Sequence, residues 1–132
     1  MDISSIGLFR LAGSRLDYLA QRQRLIAENV VNANTPDYRG KDLKPFAALL
    51  GDHAPVVPSR TAGMHLGGSL GAGVVRENRR PEVWEVTPDG NSVSLDQEMI
   101  KGSETRDAFA LTASLLHRNV QMLRMAWRSG NG

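Results

Sequence analysis

Ala12, Leu16, Leu19, Gln23, Ile26, Val30 and Ala33 recur alternately four and three positions apart. With Gln23 the only polar step, that spacing is the a/d rhythm of a helix burying a narrow seam. The same alternation carries Leu95, Met99, Gly102, Arg106, Phe109, Ala113, Leu116, Val120, Leu123 and Trp127. The pattern predicts one long helix at each end of the chain, and two such seams predict a coiled-coil-like αα-hairpin. Leu16, Leu19, Ile26 and Val30 from the first helix, and Phe109, Leu116, Val120 and Leu123 from the second, are the candidate contact residues. Gly102 and Arg106 interrupt the second seam. An interior glycine costs about 1 kcal/mol relative to alanine, so a weak or bent first portion is expected there. Ala108, Leu111, Leu115 and Met122 lie beside that seam, while Leu8, Phe9, Leu11 and Ile26 broaden the first. Faces this wide exceed what one partner helix covers, which points to further partners.

The first helix is expected to run from about Ser4 or Ser5 to the asparagines near position 32. For the second, Asp96 is a candidate cap, with Glu98, Asn91 and Ser92 as alternative polar starts. All six prolines fall between Pro36 and Pro88. The chain therefore divides into an N-terminal helical segment (1–35), a turn-rich connector (36–92) and a C-terminal helical segment (93–132). The fold class is mainly α, with a Gly/Pro-rich middle that has room for one short β-hairpin. GVVRE and EVWEV are the runs that would pair, around the NRRP turn, with Val74, Val83 and Trp84 forming a small packed face. An extended, poorly packed connector is the competing outcome.

Composition narrows the function classes. In 132 residues hydrophobic side chains make up 41% but aromatics only 5%, so the core should be aliphatic and thin. The absence of cysteine excludes disulfides and thiolate metal sites. The start, MDISSIGLFRLAG, does not resemble a cleaved secretory signal, and the apolar stretch around Ala108 to Leu116 falls short of the ~20 residues of a membrane span. A soluble chain, or one exported without such a signal, is expected.

His53, His65 and His117 lie in different segments with no metal-binding spacing, and no metal or cofactor is implied. GGSLGAG lacks the Lys-Ser/Thr ending of a phosphate loop. Asp96, Glu98, Glu104 and Asp107 alternate with Lys101 and Arg106, the pattern of a solvated helix face rather than of paired catalytic carboxylates. No enzyme is indicated. A net charge of only +2, with both signs scattered, gives no basic stripe. The alternative to a structural role is a small basic helical nucleic-acid binder using Arg15, Arg22 and Arg24, whose sign would be steep salt dependence.

The stretch ENVVNANTPDYRGKDL resembles the N-terminal signature of the bacterial flagellar rod, hook and hook-associated proteins, N-x-x-N-x-x-TPGY followed by a basic residue. Asn29, Asn32, Thr35, Pro36, Tyr38 and Arg39 fill matching positions. Asp37 replaces the usual glycine, which places an aspartate where positive φ is expected, and Val31 replaces the usual alanine. The short length, MHLGG, and TPDGNSVSLDQEMIKGSE leading into the last helix are most similar to proximal rod members of the basal-body rod protein family. The resemblance covers the first helix, its exit turn and the start of the second helix.

It implies a structural subunit whose terminal helices pair in the inner layer of a hollow axial assembly, one that transmits torque and conducts exported subunits. It also implies flagellar type III export and a place in the rod spanning the periplasm. The implied partners are copies of itself, other rod proteins, and the basal-body adaptor and export gate, with neither nucleic acid nor direct lipid binding. Within the signature, Asn32 or Asn34 suits a helix C-cap. Asn29, one turn earlier and beside a seam residue, has no reason to be polar unless it finds hydrogen-bond partners, within the subunit or across to a neighbour.

Overall fold

The computed structural model describes residues 3–51, 77–78 and 81–129. Helix α1 spans Ile3–Val31, strand β1 Asp42–Leu43, the short helix α2 Phe46–Gly51, strand β2 Glu77–Asn78, and helix α3 Leu95–Ser129. Helices α1 and α3 pack against each other and run antiparallel. Asn29 meets Glu98, Ile26 lies beside Gly102, and Leu19 shares a groove with Phe109. The αα-hairpin expected from the two seams is therefore present.

Each helix is delimited by local chemistry. At the end of α1, the Asn32 side-chain amide donates to the Glu28 carbonyl at 2.9 Å, closing a terminal acceptor. Helix α3 opens at Ser94, whose carbonyl accepts the Glu98 N–H at 3.0 Å. Asp96 is thus not the cap: it lies with Glu98 in the first turn, where both carboxylates suit the helix dipole. Helix α3 continues through Gly102 and Arg106, and Gly102 is buried against Ile26 in the seam. Helix α2 begins after Pro45, whose carbonyl accepts the Ala48 N–H. It sets Phe46 against Tyr18 with ring centroids 5.4 Å apart, and the Arg15 guanidinium lies 5.1 Å from the Phe46 centroid.

The connector carries one two-stranded antiparallel sheet, but its pairing is not the one the sequence suggests. β2 pairs back to β1, Asp42 opposite Asn78 and Leu43 opposite Glu77. The EVWEV run is irregular, with Val83 and Trp84 exposed, so it forms no packed face. β1 wins because Leu43 is already anchored in the core while EVWEV has no buried neighbour to organise it. Val74, His53, His65, MHLGG, GGSLGAG and the arginines of NRRP lie outside the described residues.

Among the described residues, the buried apolar set is Tyr18, Leu19, Ile26, Leu43 and Val93, matched by the buried polar set Asn29, Asn91, Gln97, Glu98 and Thr105. The α3 seam accordingly departs from the four-three register over its first half. Gln97, Glu98, Gly102 and Thr105 face inward while Leu95, Met99, Arg106 and Phe109 are exposed. The cause is the facing surface: α1 and β1 present Asn29, Arg22 and Asp42, groups that only polar side chains can satisfy.

Candidate assembly interface

The end of α1 and the start of α3 are joined by two turns with the same opening, Thr35-Pro36-Asp37 and Thr87-Pro88-Asp89. In the first, the Tyr38 N–H closes onto the Thr35 carbonyl at 3.3 Å, and Asp37 takes the positive φ of 58° expected for its position. In the second, the Gly90 N–H closes onto the Thr87 carbonyl at 2.9 Å, and Gly90 has φ 83°. The turns dock on one another: Asp37 N–H donates to the Asp89 carbonyl at 2.9 Å, and Ser92 N–H to the Tyr38 carbonyl at 3.0 Å. A Cβ added at Gly90 would overlap the Asp37 carboxylate, so the position is restricted both by φ and by space.

Two fully buried asparagines complete the junction. The Asn91 amide points at the carbonyls of Asn32, Ala33 and Thr35, at 2.9, 3.0 and 2.7 Å. They belong to the exit turn that follows α1, so the Asn91 side chain ties that turn to the start of α3. Its Oδ1 accepts the Val93 N–H at 2.8 Å. Asn29, 0% exposed, donates to the Lys41 carbonyl at 2.7 Å and to Glu98 Oε2 at 3.1 Å. Its Oδ1 accepts the Lys41 N–H at 2.9 Å and the Tyr38 hydroxyl at 3.3 Å. The question raised by a polar residue beside the seam is answered inside the subunit.

From Asn29 a charged relay runs along the seam. Glu98 is bound by Lys101 Nζ at 3.1 Å, Lys101 reaches Asp42 at 3.5 Å, and Asp42 is gripped by Arg22 Nε at 3.1 Å and Nη2 at 3.3 Å. Two acids and two bases alternate, so no charge in the relay is left without its opposite. Burial works against the Arg22 charge, but the hydrogen bond and charge of Asp42 outweigh it and hold its pKa above the ordinary arginine value. Burial pushes the Tyr18 phenol up, and its hydroxyl donates to the Lys44 carbonyl at 2.9 Å. Burial, reinforced by the nearby Glu28 carboxylate, does the same to Tyr38. Asp89 is held below the usual carboxylate range by the Thr87 hydroxyl and the Asn91 backbone N–H.

Away from this junction the character of the surface inverts. Every described α3 residue from Gln121 to Arg128 is exposed, including Met122, Leu123, Met125 and Trp127, the last 73% exposed. Leu111 and Leu115 are exposed earlier on the same helix, as are Leu8 and Leu11 on α1. After Asp107 the chain has no further acid, and Arg118, Arg124 and Arg128 accompany the apolar residues. Between the two regions Leu19, Ala20, Gln23, Thr105, Arg106 and Phe109 line a groove of about 410 Å³. At its floor the buried Thr105 hydroxyl has no hydrogen-bond partner among the described residues.

The candidate contact residues thus fall into three sets. Leu19 and Ile26 are buried within the subunit; Leu16, Leu116 and Val120 are partly buried; Val30, Phe109 and Leu123 are exposed. Of the signature, Asn29 and Tyr38 enter the junction by their side chains, and Asn32 and Thr35, whose side chains bond to each other, enter it by their carbonyls. Pro36 and Arg39 are exposed, and Val31, 81% exposed, needs no accommodation. Glu98 and Lys101 are not on a solvated face; Asp96, Glu104, Arg106 and Asp107 are. Asn91 and Gly90 were not legible as junction residues, although the repeated Thr-Pro-Asp before them marks a second turn of the same kind. Of the arginines in the nucleic-acid alternative, Arg22 is held by Asp42 and Arg15 lies over Phe46. His117 is exposed and paired with Gln121. Among the described residues no His, Cys, Asp or Glu cluster could hold a metal, and no helix is long and apolar enough to cross a membrane.

No family model matches the chain. It is 37% identical over 123 residues to the flagellar basal body rod protein FlgB of Agrobacterium fabrum, covering 91% of this chain and 92% of that protein. It is 26% identical over 130 residues to the flagellar basal body rod protein FlgB of Escherichia coli, covering 92% and 94%.

Proposed function

This chain belongs to the FlgB family of flagellar basal body rod proteins, and we propose that it builds the proximal part of the rod by adding its open helix faces to those of neighbouring subunits. The observation that carries the reading is a likeness spanning nine-tenths of both chains to a protein of the basal body rod. The chain is a structural subunit and not an enzyme, and it assembles with other rod proteins. In the proposed assembly those neighbours include copies of itself, and the adaptor and export gate lie at the end of the rod. The helical segments 1–35 and 93–132 form the inner layer, and the 36–92 connector lies outside it.

The physical driving force is apolar burial. Each exposed Leu, Met or Trp covered by a neighbour contributes about 1.5–3 kcal/mol, against about 1–2 kcal/mol for ordering each residue of backbone. The open end of the hairpin therefore gains most of its order on docking, which couples its folding to polymerisation. Of the contact residues, Val30, Phe109 and Leu123 are exposed and free to serve between subunits, whereas Leu19 and Ile26 serve within one.

The reading is tested in a flagellated strain lacking its own copy of this protein and complemented with variants. Phe109→Asp and Leu123→Asp are expected to leave the purified subunit folded and to abolish motility, with isolated basal bodies lacking the rod. Normal rods in both variants would overturn it.

A further inference from the structure

Helix α3 carries a second stripe, on the side away from α1. Asp96, Ile100, Ser103, Asp107 and Ala110 follow one another in steps of four and three down its first half, and Ser114, Arg118, Gln121, Met125 and Arg128 continue to its end. At about 3.6 residues per turn these positions fall within one narrow arc, and every one of them is exposed. The chemistry of the stripe reverses about its midpoint. Taken from the two ends inwards, Asp96 matches Arg128, Ile100 matches Met125, Ser103 matches Gln121, Asp107 matches Arg118 and Ala110 matches Ser114. Acid is set against base twice, apolar against apolar, hydrogen-bonding group against hydrogen-bonding group, and small against small. In two antiparallel helices crossing at this midpoint, all five pairs lie at the same height to within one residue, roughly 1.5 Å along the axis.

The sorting of charge by half selects the partner. A parallel copy would set Asp96 on Asp96 and Arg118 on Arg118. A surface of one sign, such as an anionic membrane, would be repelled by one half of the stripe. A second copy running the other way meets each charge with its opposite.

We propose that the outward stripe of α3 docks on the same stripe of a second copy, antiparallel, about a two-fold axis between Ala110 and Ser114. Residues 118–128 of each copy then lie on residues 96–107 of the other, so the fully exposed end of one α3 is laid along the end that Asn29 anchors in the other subunit. At the centre the small side chains let the helices approach closely, and Leu111 of one copy comes beside Leu115 of the other, residues 61% and 49% exposed in the single chain. Ile100 shares a hollow with the exposed Trp84, a seat for the flexible Met125 thioether. A contact of this symmetry closes on two copies and does not polymerise. It uses none of Val30, Phe109 and Leu123, so the inference goes beyond the rod reading and does not rest on it. Exposed ion pairs are individually weak, so the dimer is expected to form with a midpoint of about 10–100 µM and to dissociate on dilution, leaving the open end uncovered in the dilute subunit.

Sedimentation equilibrium of the full chain across that concentration range tests the proposal. Asp96→Arg with Asp107→Arg makes the charges of the stripe wholly basic, and Arg118→Asp with Arg128→Asp makes them wholly acidic. Each variant alone is expected to self-associate about tenfold more weakly or less, with helix content kept, and an equimolar mixture of the two should restore the dimer as a one-to-one heterodimer. Direction is read by disulfide trapping, because the chain has no cysteine of its own. A Ser103→Cys chain mixed with a Gln121→Cys chain should link to it several-fold faster than to itself. A monomer at every concentration would overturn the proposal. So would a dimer indifferent to charge reversal, a mixture that fails to restore it, or faster linking of the Ser103→Cys chain to itself. None of these outcomes bears on rod assembly, which motility reads.

Discussion

The two ends of the helix hairpin are built on opposite principles. At the closed end, Asn29, Asn91 and Glu98 are buried with hydrogen-bond partners inside the subunit, and the two Thr-Pro-Asp turns dock on one another. At the open end, Met122, Leu123, Met125 and Trp127 stand exposed on one helix, in a stretch where every described residue from 121 to 128 is exposed. Directional hydrogen bonds fix one geometry, whereas apolar surface accepts any complementary partner. The contrast teaches that the subunit holds its own shape at one end and leaves its association energy available at the other.

The comparison is sharpened first where substitutions should hurt the isolated subunit most. Asn29→Leu takes a hydrogen-bond partner from Glu98 Oε2, from the Lys41 backbone and from the Tyr38 hydroxyl while Lys101 still holds Glu98, and about 3–4 kcal/mol should be lost in urea unfolding followed by circular dichroism. Asn91→Ala removes the donor to three carbonyls and the acceptor of Val93, with an expected loss of about 2–3 kcal/mol by the same measurement. Gly90→Ala forces a side chain into positive φ and against Asp37 and should cost about 2 kcal/mol. Asp37→Gly in the same chain should recover part of that, so that the double variant is more stable than the sum of the singles implies.

A smaller effect carries a pH signature. Burial raises the Tyr18 pKa above its ordinary value of 10.0. The folded phenol therefore holds its proton more tightly than the unfolded one. Its contribution is complete below the unfolded value and is lost as pH rises through the folded one. Tyr18→Phe should cost about 1 kcal/mol at neutral pH and remove this alkaline loss, read from melting temperatures between neutral and strongly basic pH. Smallest of all, Trp127→Ser should change subunit stability by less than about 0.5 kcal/mol while impairing motility, the reverse of what closed-end substitutions do.

How much of this was legible in the sequence follows the same divide. The terminal helices and their pairing follow from periodicity, a local signal, and the positive φ at Asp37 follows from the glycine usual at that place in the signature it resembles. The inward turn of Glu98 and Thr105 was not, since the four-three rhythm of Leu95, Met99 and Arg106 points the other way. It took the facing Asn29, Arg22 and Asp42 to decide the orientation, and those are partners distant in sequence. The β1–β2 pairing was missed for the same reason: two residues per strand carry no periodicity, and only the burial of Leu43 fixes where they meet. Asn29 was legible as a residue needing partners, but not as one whose partners all lie in its own chain.

The central claim is that order in the isolated subunit is concentrated at the closed end. Native-state amide hydrogen exchange tests it residue by residue. Strong protection is expected over residues 18–31 and 98–108, falling to near-unfolded exchange from about residue 115 to the end of α3. Uniform protection along the whole of α3, or none at the closed end, would contradict the account.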